Sequence, residues 1–380
     1  ACNDLTGKQE YPVRIGIDAR SLHHEGVGRY IREIIKHLSG IDHKNEYIVY
    51  FSSQEFITKD LLESSNFHGV FLPVTIYDLH KQPYLWYRIH RDRLDVFHAT
   101  DHWLVPFFAP CPLVITVHDT LVKTERKSLP YKVQVYGAVI TRIALAMSDK
   151  ILTISDFTKK EIFDLYPRAE RKISVIYHGV GPEFRPVPET SRVRCKYRLT
   201  KKYFLYVGSL KSHKNIPRLI EAFSRLPSML REETDLVIAA RLEPRFSETE
   251  RLPARLGIEE SVKFTGYVPN TDLPELYNGA IALIIPSFTE WFGLPVIEAM
   301  SCGTPVIASK GGALPEVGGE AALYFDPEST NDLKSTIERV LIDNDLRKRL
   351  SNMGLKRSKD FSWNTTARRT LEIYEEVCKQ

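Results

Sequence analysis

Twice along this 380-residue chain, short β-branched and aliphatic runs alternate with longer amphipathic stretches, and a segment rich in proline and glycine separates the two series. Alternation of this kind specifies parallel strands joined by helical crossovers, with helices covering both faces of the sheet. In the first series strands are expected at 13–17, 47–51, 70–74, 96–98, 113–117 and 151–154. A polar turn carrying Gly26 and Gly28 leads into a helix at 29–38, and further helices are expected at 131–147 and 158–165. The series breaks over 175–200, where "HGVGPEFRPVPETSR" has no periodic apolar face and reads as an interdomain linker. The second series predicts strands at 203–207, 236–239, 262–264, 281–285, 305–308 and 322–325. Helices are expected at 216–225, 272–278, 294–300 and 331–341, with a last amphipathic helix at 363–379. The expected organisation is therefore two doubly wound α/β domains, 10–182 and 183–362, followed by a C-terminal helix within 363–380.

Length favours two cores over one. Hydrophobic residues make up 43% and charged residues 26%, an ordinary globular composition. A net charge of +4 is too small to argue for nucleic acid, and no nucleic-acid module accompanies it. Cys2, Cys111, Cys195, Cys302 and Cys378 are widely spaced, odd in number and contain no C-x-x-C pair. A disulfide framework or zinc site is not expected, and a reducing cytoplasm is the natural home. No apolar run approaches the roughly 20 residues of a membrane-spanning helix, and the polar start, 1–9, lacks the apolar stretch of a signal peptide.

The densest chemistry lies in "SFTEWFGLPVIEAMSCGTPVIAS", which places Glu290 and Glu298 with seven residues between them. Glu290 ends a loop after an apolar strand, and Phe292 and Gly293 lead into a helix beginning at Leu294. Pro295 is well tolerated in its first turn. Amides at a helix start and the positive end of its dipole suit a phosphate, while Gly293 lets a ligand approach the backbone. Glu298, about one turn further, can accept two hydrogen bonds from a vicinal diol such as ribose. Solvated charges are the ordinary fate of two isolated glutamates. This pair, however, brackets a strand–loop–helix junction of the kind at which doubly wound sheets bind ligands.

At these residues the chain resembles the retaining glycosyltransferases of family 4, whose signature is this pair of glutamates, and the likeness runs from "IGIDAR" to the closing "FSW". The resemblance implies a GT-B fold: two Rossmann-like domains facing across a cleft, the second holding a nucleotide sugar, the first an acceptor, and the last helix crossing back to the first domain. Trp291 departs from the family's usual glycine. "YFLYVGSLKSHKN" is similar to the family's donor-phosphate loop, so that Gly208, Ser209 and Lys214 are expected around the diphosphate. Ser209 replaces a common basic residue, which leaves charge neutralisation to Lys214. In "LVITVHDT", His118 matches a histidine that contacts the donor sugar, with Asp119 beside it. "DVFHAT" offers His98 and Asp101 one strand earlier, where a structural role is as good an account. The pair Gly26 and Gly28 does not match G-x-G-x-x-G, and the resemblance places it in a loop near phosphates and acceptor. "FTGYVP" and "GGALPEV" also look like landmarks of the family: the resemblance implies a nucleobase site through backbone groups around Tyr267 and Val268, and a place for "GGALPEV", with Lys310 nearby, where it would help close the sugar pocket.

The resemblance implies transfer of a hexose to a hydroxyl of a glycan or lipid-linked acceptor, with retention. The expected catalytic residues are His118, Glu290 and Lys214. The donor-binding set is Gly208, Ser209, Lys214, Tyr267, Val268, Glu290, Phe292, Gly293, Leu294 and Glu298. No metal site and no cofactor beyond the nucleotide sugar are expected. The wording of the motifs leans to a mannosyltransferase-like branch, hence GDP-mannose and cell-surface polysaccharide. UDP-glucose, a UDP-N-acetylhexosamine, a nucleotide-sugar epimerase and a non-catalytic binding protein stand as alternatives. The segment "KQPYLWYRIHRDRLD" mixes basic and aromatic residues. It reads as an amphipathic helix with a solvated face, with peripheral contact at the inner face of a membrane as the alternative.

Overall fold

The computed structural model describes residues 12–74, 78–120 and 131–379. The polar start and Cys2 lie outside them. The chain forms two compact units. One comprises residues up to Ile154, Thr158–Tyr177 and Trp363–Gln380; the other comprises Ser155–Phe157 and His178–Ser362.

The first unit carries a seven-stranded parallel sheet: β1 (Arg14–Asp18), β2 (Glu46–Phe51), β3 (Phe67–Phe71), β4 (Val96–Ala99), β5 (Leu113–Val117), β6 (Lys150–Thr153) and β7 (Ile173–Val175). Its order is β3-β2-β1-β4-β5-β6-β7. Side chains of β4 and β5 are buried along their whole length, as continuous apolar strands covered on both faces require. The helix Trp363–Cys378 buries Trp363, Thr366, Ala367, Thr370, Ile373, Tyr374 and Val377, a 3–4 spacing that forms one stripe. That stripe packs on the helix Glu25–Ile41 and on β4, so the chain's last helix belongs to its first unit.

The second unit holds a six-stranded parallel sheet: β8 (Lys202–Val207), β9 (Thr234–Ala239), β10 (Val262–Phe264), β11 (Ala282–Ile285), β12 (Val306–Ser309) and β13 (Ala322–Phe325). The order is β10-β9-β8-β11-β12-β13. Both units therefore have the doubly wound arrangement expected from the alternation.

Local expectations fail where tertiary contacts outweigh composition. The stretch read as a linker is built into the second unit: Phe184 is buried edge-on to Tyr277, and Val193 is buried in the helix Ser191–Lys196. β3 lies three residues before its expected position, and β7 carries no signal longer than three residues. Gly26 and Gly28 are not in a turn. The helix starts at Glu25 and takes both glycines into its first turn, where the Gly28 amide donates to the His24 carbonyl at 2.7 Å. The apolar row Ile31, Ile34, Ile35 and Leu38 outweighs the glycines' poor helix propensity. A β-carbon on Gly28 would stand 2.1 Å from the Leu22 carbonyl oxygen.

Candidate active site

In each sheet the strand order reverses at one place, and ligands of doubly wound folds bind beyond the carboxyl ends of the strands there. In the second unit that place lies between β8 and β11. The loops leaving these two strands carry most of the donor residues expected from sequence.

Hydrogen bonds tie the two loops together. The Phe288 amide donates to the His213 carbonyl at 2.8 Å. Asn215, in a left-handed conformation at φ 58°, donates through its side chain to the Pro286 and Pro327 carbonyls, each at 3.0 Å. This frame brings Lys214 Nζ within 2.7 and 2.9 Å of the two oxygens of Glu290, and the Ser287 hydroxyl donates to the same carboxylate at 2.6 Å. Burial alone would push the Glu290 carboxyl up. The Lys214 charge, with the hydrogen bonds from Lys214 and Ser287, outweighs burial and holds it below the ordinary carboxylate range. His213, by burial and then by the neighbouring Lys214, is pushed down to about 4 and stays neutral at physiological pH. Trp291 sets its ring edge-on to His213 at 6.0 Å.

The glycines of "GGALPEV" support the same loop. Gly312 has φ +66°, and a β-carbon there would lie 2.1 Å from the Glu290 carbonyl oxygen, which accepts from the Ala313 amide at 2.7 Å. Ser309 donates to the Ser287 carbonyl at 2.5 Å. Neither Ser287 nor this backing role of Gly312 was read from sequence. The S-x-x-E spacing of Ser287 and Glu290 was the available signal.

Gly293 adopts φ +95° and opens the helix Leu294–Ser301. Its carbonyl accepts from the Val296 amide at 2.9 Å, so that one amide of the helix start is already engaged. Glu298 lies on the buried face of this helix and accepts from the Tyr277 hydroxyl at 2.7 Å. Phe292 is buried between His178 and Phe361, at ring distances of 5.1 and 5.8 Å, and so packs in the core; Leu294 is half-buried beside it. Gly208 and Ser209 follow β8: the Gly208 amide donates to the Ala239 carbonyl at 3.1 Å, and the Ser209 carbonyl accepts from Tyr206 at 2.6 Å. Tyr267 is 60% exposed beyond β10, while Val268 beside it is buried.

In the first unit the reversal falls between β1 and β4. Asp18 and Arg20 form a buried pair there, 2.5 Å apart, and Arg20 also donates to the Val74 and Leu104 carbonyls at 3.0 and 2.9 Å. Arg20 is thereby committed to holding strand ends together. His118, just past β5, is buried, with Nε2 2.8 Å from the Thr100 carbonyl oxygen and the Tyr30 ring edge-on at 4.9 Å. Burial pushes its pKa down against the opposing charge of Asp101. His98 lies 2.6 Å from the Tyr374 hydroxyl and 2.8 Å from that of Thr116, which is in turn 3.1 Å from the Tyr30 hydroxyl. Asp119 is half-buried next to His118. Sequence singled out His98 and His118 but missed the Tyr30, Thr116 and Tyr374 hydroxyls that join their surroundings.

The helix Gln82–Arg91 buries Leu85 and Ile89 and exposes Tyr84, Trp86 and Tyr87, with Trp86 stacked on His90. Among the described residues no helix is long and apolar enough to cross a membrane.

Residues 189–357 match a family described as "Glycosyl transferases group 1", and 24–184 match "Glycosyltransferase Family 4". O-antigen chain mannosyltransferase B of Escherichia coli is 32% identical over 92% of this chain and 96% of its own length. Among solved structures, Anabaena HepE in complex with UDP and glucose has a TM-score of 0.79 at 20% identity, covering 96% of this chain and all of that one. Sucrose-phosphate synthase from Thermosynechococcus elongatus has a TM-score of 0.78 at 21% identity, over 96% of this chain and 98% of its own.

Proposed function

Because this chain belongs to the family 4 glycosyltransferases, in their mannosyltransferase-like branch, we propose that it transfers mannose from GDP-mannose to a hydroxyl of a glycan or lipid-linked acceptor in polysaccharide synthesis. The observation that carries a donor site is the meeting of Lys214 and Glu290 at the strand-order reversal of the second sheet. Lys214 and the helix start at Gly293 would stabilise the departing diphosphate, and charge stabilisation of this kind is commonly a dominant part of catalysis. Glu290 would orient the transferred sugar. Glu298, oriented through one oxygen by Tyr277, would hold the ribose, and His118 would contact the sugar. In this reading transfer proceeds with retention and without an essential metal. An inverted product anomer by NMR, or complete loss of turnover on adding chelator, would refute those two parts.

A UDP-sugar donor is the second reading, favoured by the fold shared with HepE, which was solved with UDP and glucose. Thermal stabilisation by GDP- and UDP-sugars, in wild type and Glu298→Ala, separates the cases, because a ligand that binds only the folded state raises its stability. A shift by one nucleotide class that the variant loses supports both donor and site. No shift at millimolar ligand refutes the donor site, and conversion of the donor to an epimeric nucleotide sugar without acceptor, and without release of free nucleoside diphosphate, would point to an epimerase.

A further inference from the structure

Arg241 stands two residues beyond β9, and Tyr267 three beyond β10, on neighbouring strands in register through Ile238 and Phe264. The guanidinium carbon of Arg241 lies over the Tyr267 ring, 5.4 Å from its centroid. The ring is 60% exposed although Val268 beside it is buried. Nearby Arg245 is paired with Glu243 at 2.7 Å, whereas Arg241 has no carboxylate partner among the described residues. A cation–π contact at this distance restrains the guanidinium and so lowers the entropy cost of using its donors, which are not committed to an internal acid.

This pair stands just beyond the ends of β9 and β10, on one side of the β8–β11 reversal. The Gly208 amide is bonded to Ala239, so the loop after β8 adjoins the end of β9. β10 is two strands from β8, or about 10 Å at ordinary strand spacing. A nucleotide with its diphosphate at the β8–β11 reversal, lying toward that edge of the sheet, brings its base to Arg241 and Tyr267. This placement of the base rests on the donor site proposed above.

We propose that Arg241, held by Tyr267, selects guanine and is the specificity-determining residue for a guanosine diphosphate donor. A rigid fork of donors matches two adjacent acceptors. Guanine offers N7 and O6 on one edge; adenine sets an amino donor beside N7. Uracil sets the N3–H donor beside O4, so the fork meets one acceptor and one opposing donor.

The test is calorimetric titration of the full chain with GDP, UDP and ADP, in wild type, Arg241→Met, Arg241→Lys and Tyr267→Ala. The expected result is a wild-type preference for GDP. Arg241→Met should then lose about tenfold or more in GDP affinity, with UDP affinity changed little. Arg241→Lys should not restore GDP binding, because it keeps the charge and loses the fork, and Tyr267→Ala should weaken GDP in the same direction. Equal losses for GDP and UDP, or full rescue by lysine, would reduce Arg241 to a general cation and overturn the proposal. A wild type that prefers UDP would overturn it while leaving sugar transfer standing. A wild type that binds no nucleoside diphosphate would overturn the donor site itself.

Discussion

Lys214 and Glu290 are 76 residues apart in the chain, yet the lysine ammonium lies 2.7 and 2.9 Å from the two carboxylate oxygens. A cation expected to meet a diphosphate is thus already matched to an internal anion, and a ligand phosphate must compete with Glu290 for it. Glu290→Gln should therefore bind nucleoside diphosphate more tightly than wild type, on the order of several-fold, while sugar transfer falls. Lys214→Met should bind it about tenfold or more weakly. Titration with the diphosphate alone decides the point: weaker binding by Glu290→Gln would show that the two residues do not compete.

The same pair has a stability consequence. Their side chains are 19% and 13% exposed, so that losing one partner strands a largely desolvated charge. Lys214→Met should cost about 2–3 kcal/mol, below the range for fully buried pairs. Lys214→Met combined with Glu290→Gln should recover part of that loss. A double variant as unstable as the sum of the singles would contradict a direct coupling.

Glu290 also fixes a pH dependence. Its carboxyl is held below the ordinary value in the folded state, so the unfolded chain binds this proton first. The stabilisation is complete above the unfolded pKa of about 4.3 and is lost as pH falls through the folded value. Urea melts of the second unit below pH 5 should lose less stability with falling pH in Glu290→Gln than in wild type. Parallel curves for the two proteins would be the contrary result.

In the first unit, burial, followed by repulsion from His118, pushes His98 down to about 3. This histidine stays neutral in the fold and gains a proton on unfolding. Its contribution is complete above the unfolded pKa of about 6.5 and declines as pH falls from there toward 3, by up to about 1.4 kcal/mol per unit. Replacing His98 by Gln should flatten stability against pH between 6.5 and 4, read from exchange of the β4 and β5 amides. Tyr374→Phe, which takes the hydroxyl 2.6 Å from Nδ1, should cost about 1–3 kcal/mol at pH 7. An unchanged slope in the His98 variant would place its titration elsewhere.

Apolar runs made the two sheets legible where strands are buried along their whole length, as β5 and β11 are. They did not reveal β7, whose three residues are all only partly buried, nor the helix start at Glu25, where Gly28 suggested a turn. In the second unit, the strand–loop–helix junction singled out Glu290 and the likeness to family 4 singled out Lys214, and the sheet order then put their loops side by side. Composition could not show that Phe292 faces the core, since an aromatic beside a glycine suits a pocket wall and a packed interior equally. A hydroxyl partner such as Tyr374 leaves no pattern of its own: its meaning comes from His98, 276 residues away, which only folding brings within 3 Å.

Two glycines of the second unit separate backbone strain from loop support. Gly257 and Gly312 both adopt left-handed φ, +65° and +66°. A β-carbon at Gly257 meets nothing within 4 Å, whereas at Gly312 it would stand 2.1 Å from the Glu290 carbonyl oxygen. Gly257→Ala should therefore cost only the left-handed penalty, about 1–2 kcal/mol, and leave nucleotide-sugar binding unchanged. Gly312→Ala adds an overlap that only a shift of the Glu290 backbone can relieve, for a further 1–3 kcal/mol or so. That shift pulls the carboxylate away from Lys214 and should weaken donor binding by about tenfold or more. Denaturation and donor titration of both variants test the relation. Equal donor affinity in the two would mean that the position of the Glu290 loop does not govern the site.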